Sequence, residues 1–158
     1  SDALFAMAKQ RCPNRVDMAV VNIRGMRTEW AAGDITRRHI FELMPFDNEL
    51  VVLTMTGEEI LQLCNTFVRL GGEGVAGLRI KARDGKLVSA KIGGKDIVPS
   101  AHYTVATSDY LSQGNDGLTP LKNHIELWRS EEKIRDLYIA YVQQVKTVAA
   151  KVDGRMDL

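Results

Sequence analysis

"GLRIKARDGKLVSAKIGGKDIV", residues 77–98, alternates Leu78, Ile80 and Ala82 with Arg79, Lys81 and Arg83, breaks at Asp84-Gly85, alternates again, and breaks at Gly93-Gly94. A period of two marks strands with one face on a core and the other in water. The Asp-Gly and Gly-Gly pairs supply the positive φ that tight hairpins require, so the stretch reads as an antiparallel β meander. That argues against a doubly wound sheet, in which each strand would be followed by a crossover helix.

Immediately upstream, "TGEEILQLCNTFVRLGG" (56–72) gives the clearest helix signal in the chain. Thr56 can cap the third free amide while Glu59 reaches back to the backbone of Thr56. Ile60, Leu63, Cys64 and Phe67 recur at helical spacing, and Gly71 and Gly72 end the run. Working outward, "VDMAVVN" (16–22), "ELVVLTM" (49–55) and "HYTVATSDY" (102–110) read as strands. Residues 2–10 carry Leu4, Met7 and Ala8 on one helical side, and this first helix begins abruptly, as if cut from a longer one. A short helix over "ITRRHIFELM" (35–44) must stop before Pro45. The last helix is expected to start near Ser130, with Glu131 and Glu132 at the positive end of its dipole, and to run through Ile134, Leu137, Tyr138, Tyr141 and Val145 to Val148. "KVDGRMDL" (151–158) reads as a closing extended segment. Strands grouped centrally among helices predict one α+β domain over residues 1–158, layered α/β/β/α with a mixed, partly antiparallel sheet.

The chain has 158 residues, 45% hydrophobic and 26% charged, with a formal net charge of +1. That is the composition of a single globular domain without the basic field that draws nucleic-acid polymers. Its longest apolar runs are too short for a membrane span, and the N-terminus lacks the zones of a signal peptide. Cys12 and Cys64 fit neither a disulfide framework nor a zinc spacing, and Cys64 reads as a buried inert thiol. His39, His102 and His124 are scattered. The Asn123-His124 pair resembles a metal-ligating pair of calcineurin-like phosphoesterases, but the Asp-x-His and Gly-Asp that such a site also needs do not occur in suitable places, so no metal ligand is assigned.

Three loops hold the remaining chemistry: "NIRGMR" (22–27), "MPFDN" (44–48) and "SDYLSQGNDG" (108–117). Arg24 and Arg27 are either solvated arginines around a turn glycine or an anion site, since a guanidinium fork matches phosphate oxygens. Phe46 is either a core ring or a platform. Tyr110 and Asp116 read alone as a strand-end aromatic and a turn residue. Together they make the inventory of a nucleoside phosphate site: rings to stack on a base, a carboxylate for ribose hydroxyls, the Asn22 amide, and cations for phosphate.

In order and spacing, "DMAVVNIRGMRTEWAAGDIT", "LMPFDNELVVLTMTGEEIL", "YTVATSDYLSQGNDGL" and the terminal "VDGRM" resemble the C-terminal domain of the 5′-nucleotidase and UDP-sugar hydrolase family. The resemblance implies a substrate-binding domain that works with a metallophosphoesterase domain, in cis or in trans, which carries two divalent metals and the chemistry. It implies that Phe46 and Tyr110 sandwich the base, that Asp116 holds ribose hydroxyls, that Asn22 meets the base edge and that Arg27 approaches phosphate or ribose. Gly114, Asn115 and Gly117 would shape the loop that aims Asp116. No cofactor is implied within this chain, and the family's setting is periplasmic or extracellular. The sequence departs from the family pattern at Ile23 and Arg24, where glycines are usual, at Asn115, also a glycine, and at Tyr110 and Leu118, where phenylalanine is commoner. The alternative is a freestanding nucleotide or nucleotide-sugar binding module without hydrolytic activity.

Overall fold

The computed structural model describes residues 1–122 and 124–158. In chain order the elements are α1 (Asp2–Arg11), β1 (Met18–Val21), α2 (Arg37–Leu43), β2 (Glu49–Thr56), α3 (Gly57–Leu70), β3 (Gly74–Ala76), β4 (Leu78–Arg83), β5 (Lys86–Ile92), β6 (Lys95–Asp96), β7 (His102–Ser108), β8 (Ile125–Lys133), α4 (Ile134–Val145) and β9 (Met156–Asp157). They form an α+β domain with two mixed sheets, one ordered β3-β1-β7-β2-β8 and one ordered β6-β5-β4-β9.

The central strands are apolar throughout because both faces of the five-stranded sheet are covered. On one face Met18, Val20, Val51, Leu53, Met55 and Val105 pack with Ile60, Leu63, Cys64 and Phe67 of α3 and with Leu78, Ile80 and Ile92 of the smaller sheet. On the other, Ala19, Val21, Leu50, Val52 and Ala106 pack with Leu4 and Met7 of α1 and with Ile134, Leu137 and Tyr138 of α4. The meander β4-β5-β6 is antiparallel, and β9 adds in parallel beside β4. Its alternation is that of a half-covered sheet: Leu78, Ile80 and Ala82 are buried while Arg79, Lys81 and Arg83 are exposed.

Helix α3 starts at the expected capping box, with Glu59 N–H donating to Thr56 Oγ1 and Thr56 N–H to Glu59 Oε2, and ends at Gly71 with φ of 80°. Cys64 is fully buried, and burial pushes its thiol up to about 12, which leaves it unreactive.

The chain's last third departs from the sequence expectation. Residues 130–133, expected to open the last helix, instead end strand β8, which pairs antiparallel with β2. The reason is tertiary: β2 offers a free row of backbone groups, and Arg129 and Lys133 of β8 both reach Glu49 on β2, at 2.7 and 2.6 Å. Helix α4 therefore begins only at Ile134 and stops at Val145, because Lys146 turns the chain away with φ of 62°, leaving Val148 outside it.

The register places the functional loops. β1 and β7 run parallel, and β2 runs antiparallel to β7. The carboxyl ends of β1 and β7 and the amino end of β2 thus meet at one edge of the sheet, which brings together loops that are distant in sequence.

Candidate functional site

At that sheet edge lies a cavity of about 730 Å³. Asn22, Arg24, Arg27, Phe46, Tyr110 and Asp116 all line it. Gly114, Asn115 and Gly117 do not; they form the turn behind Asp116.

Asp116 is the hub. Its Oδ2 accepts from Asn22 Nδ2 at 2.5 Å and its Oδ1 from the Tyr110 hydroxyl at 2.9 Å. To point there the residue adopts φ of 55°, flanked by Gly114 and Gly117 at φ of 81° and 80°. Asp tolerates this left-handed conformation better than most side chains, and glycine does so without penalty. Asn115 donates through Nδ2 to the carbonyl of Tyr110 at 2.7 Å, which closes the turn onto the aromatic residue. Phe46 and Tyr110 remain 38% and 41% exposed, so neither ring is consumed by the core. The Arg27 guanidinium lies 5.3 Å from the centroid of the Phe46 ring, within cation–π range. The hydrogen bond to Asp116 holds the Tyr110 phenol above its ordinary range, since a phenolate there would face the carboxylate.

The three loops are fastened to one another in pairs. Arg27 N–H donates to the Leu43 carbonyl at 3.1 Å, joining the first loop to the end of α2 that leads into the second. Asn48 Nδ2 donates to Asp109 Oδ1 at 2.9 Å, joining the second to the third. Asn22 and Asp116 join the third to the first. Such a closed set of ties limits the freedom of each loop before any ligand arrives, which reduces the ordering cost of binding.

Sequence reasoning missed the residues that hold this arrangement. Asp109 Oδ1 also accepts from the backbone of Glu49 and Tyr110, at 3.2 and 2.8 Å. Its signal was its place beside Tyr110 at a strand end. Buried Glu73, from the turn after α3, accepts from Ile23 N–H at 2.8 Å and so fixes the first loop from below. Arg135 of α4 stacks on Phe41 at 4.1 Å, pairs with Asp47 at 2.9 Å and clamps the second loop. Nothing local in the sequence marked Arg135, because its partners lie almost ninety residues upstream.

Gly25 has a steric role. A Cβ there would meet the Asn22 amide oxygen at 2.8 Å and nitrogen at 2.9 Å, so only glycine lets Asn22 lie flat beside the turn and reach Asp116.

Among the described residues no three His, Cys, Asp or Glu side chains converge as a metal site. His124 is instead tied to the Pro120 carbonyl at 2.6 Å and lies 3.8 Å from Glu59, while Asn123 falls outside the described residues. The donor set among the described residues does not fit a metal pair. Among the described residues no helix is long and apolar enough to cross a membrane.

Comparison with known proteins gives the family and the fold. Residues 1–123 match the family described as "5′-nucleotidase, C-terminal domain". Over 122 residues the chain is 30% identical to Protein UshA of Escherichia coli K12, covering 74% of this chain and 22% of that protein. It is also 30% identical over 115 residues to a 5′-nucleotidase of Vibrio cholerae, covering 70% of this chain and 21% of that one. Among solved structures, a 5′-nucleotidase precursor from Thermus thermophilus superposes with a TM-score of 0.81 at 25% identity, over 98% of this chain and 34% of that one. The chain thus spans about a fifth of the curated relatives it matches. On the match over residues 1–123, it belongs to the 5′-nucleotidase family, and what it represents of that family is the C-terminal domain.

Proposed function

We propose that this domain binds the nucleoside part of a nucleotide and presents its phosphate to a metallophosphoesterase domain, in cis or in trans, which carries two divalent metals and performs the hydrolysis. The observation that carries the reading is the convergence of Phe46, Tyr110, Asp116, Asn22 and Arg27 on one cavity from three separate loops. Each group suits one part of the ligand. The exposed rings offer stacking faces, and a base stacked on an aromatic gains about 1–3 kcal/mol with little regard to which base it is. Asp116 has further capacity: an ionised carboxylate has about four lone-pair sites, and two are taken by Asn22 and Tyr110, which leaves two for vicinal hydroxyls. Arg27 and Arg24 provide the cations for phosphate.

An exported setting, periplasmic or extracellular, belongs to the same reading, supported by a relative described as a precursor.

Calorimetric titration of adenosine and AMP into this chain tests the proposal. Heat of binding is expected for the native sequence, and Phe46→Ala or Tyr110→Ala is expected to weaken it about 5- to 150-fold, the equivalent of the stacking energy, with the fold retained. Absence of binding to the native chain, or collapse of the fold on truncating either ring, would refute it. No phosphate release from AMP is expected of this chain alone with added divalent metal; sustained hydrolysis would place the chemistry here after all.

A further inference from the structure

Phe46 and Tyr110 reach the cavity on different loops, so the distance between their rings is set by whatever joins those loops. Among the described residues only one side chain accepts hydrogen bonds from both. Asp109 Oδ1 takes three donors: Asn48 Nδ2 at 2.9 Å from the second loop, Glu49 N–H at 3.2 Å where that loop enters β2, and Tyr110 N–H at 2.8 Å from the third loop. The Asp109 N–H in turn donates to the Glu49 carbonyl at 2.9 Å. Its Oδ2 lies 4.0 Å from Arg129 of β8, which is itself held by Glu49 and Glu126, each at 2.7 Å. Hydrogen bonds to a carboxylate are roughly twice as strong as those between neutral groups, so one side chain ties the two loops firmly.

The other ties do not span this gap. Asp116 joins Tyr110 to Asn22, and Arg135 holds Asp47 from α4 without bonding to the third loop. Asp109 is also not part of the cavity lining, so it is placed to act on a ligand only through the residues it holds.

We infer that Asp109 is a positioning residue that sets the width of the slot between Phe46 and Tyr110, so that a flat heterocycle enters a gap already formed. The inference rests on the nucleoside reading above and adds to it how the two rings are kept apart. A gap fixed in advance spares the cost of ordering two ring-bearing loops when the ligand binds. Because Asp109 touches no part of the ligand, its effect is the same for every base that stacks.

The test begins with Asp109→Ala. The Asp109 side chain is 27% exposed, so water can take the vacated donors, and the variant is expected to fold with a lowered melting temperature. Adenosine and uridine are expected to bind it at least about 5-fold more weakly than the native chain, both by the same factor. Asp109→Asn, which keeps an acceptor oxygen for Asn48 and Tyr110, is expected to recover most of that loss. The deciding measurement is a double-mutant cycle with Phe46→Ala. With one wall gone there is no width to set, so in that background Asp109→Ala is expected to cost less than about 2-fold. Additive losses in the cycle would overturn the inference, because Asp109 would then act independently of the rings. Unequal losses for adenosine and uridine would overturn it by revealing a contact with the base, and unchanged affinity of Asp109→Ala by showing that the gap does not depend on it. Failure of Asp109→Ala to fold would overturn it as well, making Asp109 a requirement of the fold. All four leave the nucleoside reading standing; a native chain that binds neither nucleoside removes that reading, and the role of Asp109 with it.

Discussion

Tyr110 donates its hydroxyl to Asp116 over 2.9 Å, so the proposed stacking ring and the proposed ribose acceptor, six residues apart, form one rigid unit. The left-handed backbone of Asp116 and the glycines on either side exist to make that contact. Substitution at one end is therefore felt at the other.

Asp116→Asn is the substitution that separates charge from geometry. Asn adopts the left-handed conformation readily, so the turn is expected to survive. What is lost is the charged acceptor: hydrogen bonds to charged groups contribute about 1.5–3 kcal/mol. Adenosine binding is expected to weaken about 10- to 150-fold, and the preference for adenosine over 2′,3′-dideoxyadenosine to shrink. Equal loss for both ligands would mean that Asp116 does not meet the ribose.

The same pair predicts a titration. The Tyr110 phenol is held above its ordinary value of 10.0, first by its hydrogen bond to Asp116. A raised value means that the folded state favours the neutral phenol. The stabilisation is then fully present below that ordinary value and is lost as pH climbs through the raised one. Ultraviolet difference titration of Asp116→Ala against the native chain should show one tyrosine moving to a lower midpoint. An unchanged set of midpoints would show that the contact is not formed in solution.

Gly25→Ala tests how Asn22 is aimed. The added methyl meets the end of a flexible side chain and not the backbone, at 2.8 Å, and Gly25 carries no positive φ, so the fold should tolerate alanine. The Asn22 amide must then swing away and release Asp116. The melting temperature is expected to change little while nucleoside affinity falls about 5-fold or more, the scale of one lost hydrogen bond. Affinity equal to the native chain would separate Asn22 from binding.

Much of this was open to reading from the sequence, for reasons that are local. The capping box at Thr56 and Glu59 and the turns at Asp84-Gly85 and Gly93-Gly94 are signals spanning a few residues, and the structure has them where the pattern implies. Asn22, Phe46, Tyr110 and Asp116 each have a plain reading alone, and only their combination in short loops at strand ends suggests a site. What was illegible depends on partners far along the chain. Ser130, Glu131 and Glu132 look like a helix start, and only the free edge of β2 makes them the end of a strand. Asn48 and Asp109 are ordinary polar loop residues until the register sets them 2.9 Å apart.

Arg27 lies against the Phe46 ring and lines the cavity beside Arg24, so its two attractions, to the ring and to a ligand phosphate, can be told apart by ligand charge. The exposed cation–π contact is worth about 0.5–1 kcal/mol, and its loss would affect nucleoside and nucleotide alike. A phosphate contact affects the nucleotide alone and weakens with salt, because an exposed pair is screened over about 8–10 Å at moderate ionic strength. Arg27→Ala is therefore expected to lower AMP affinity more than adenosine affinity, with the difference narrowing from low to high salt. Arg24→Ala, which disturbs no ring, should leave adenosine binding unchanged and weaken AMP by a smaller factor. Measuring both ligands against both variants at two salt concentrations decides the matter. Parallel losses for AMP and adenosine in Arg27→Ala, insensitive to salt, would assign Arg27 to the ring and leave the phosphate to other cations.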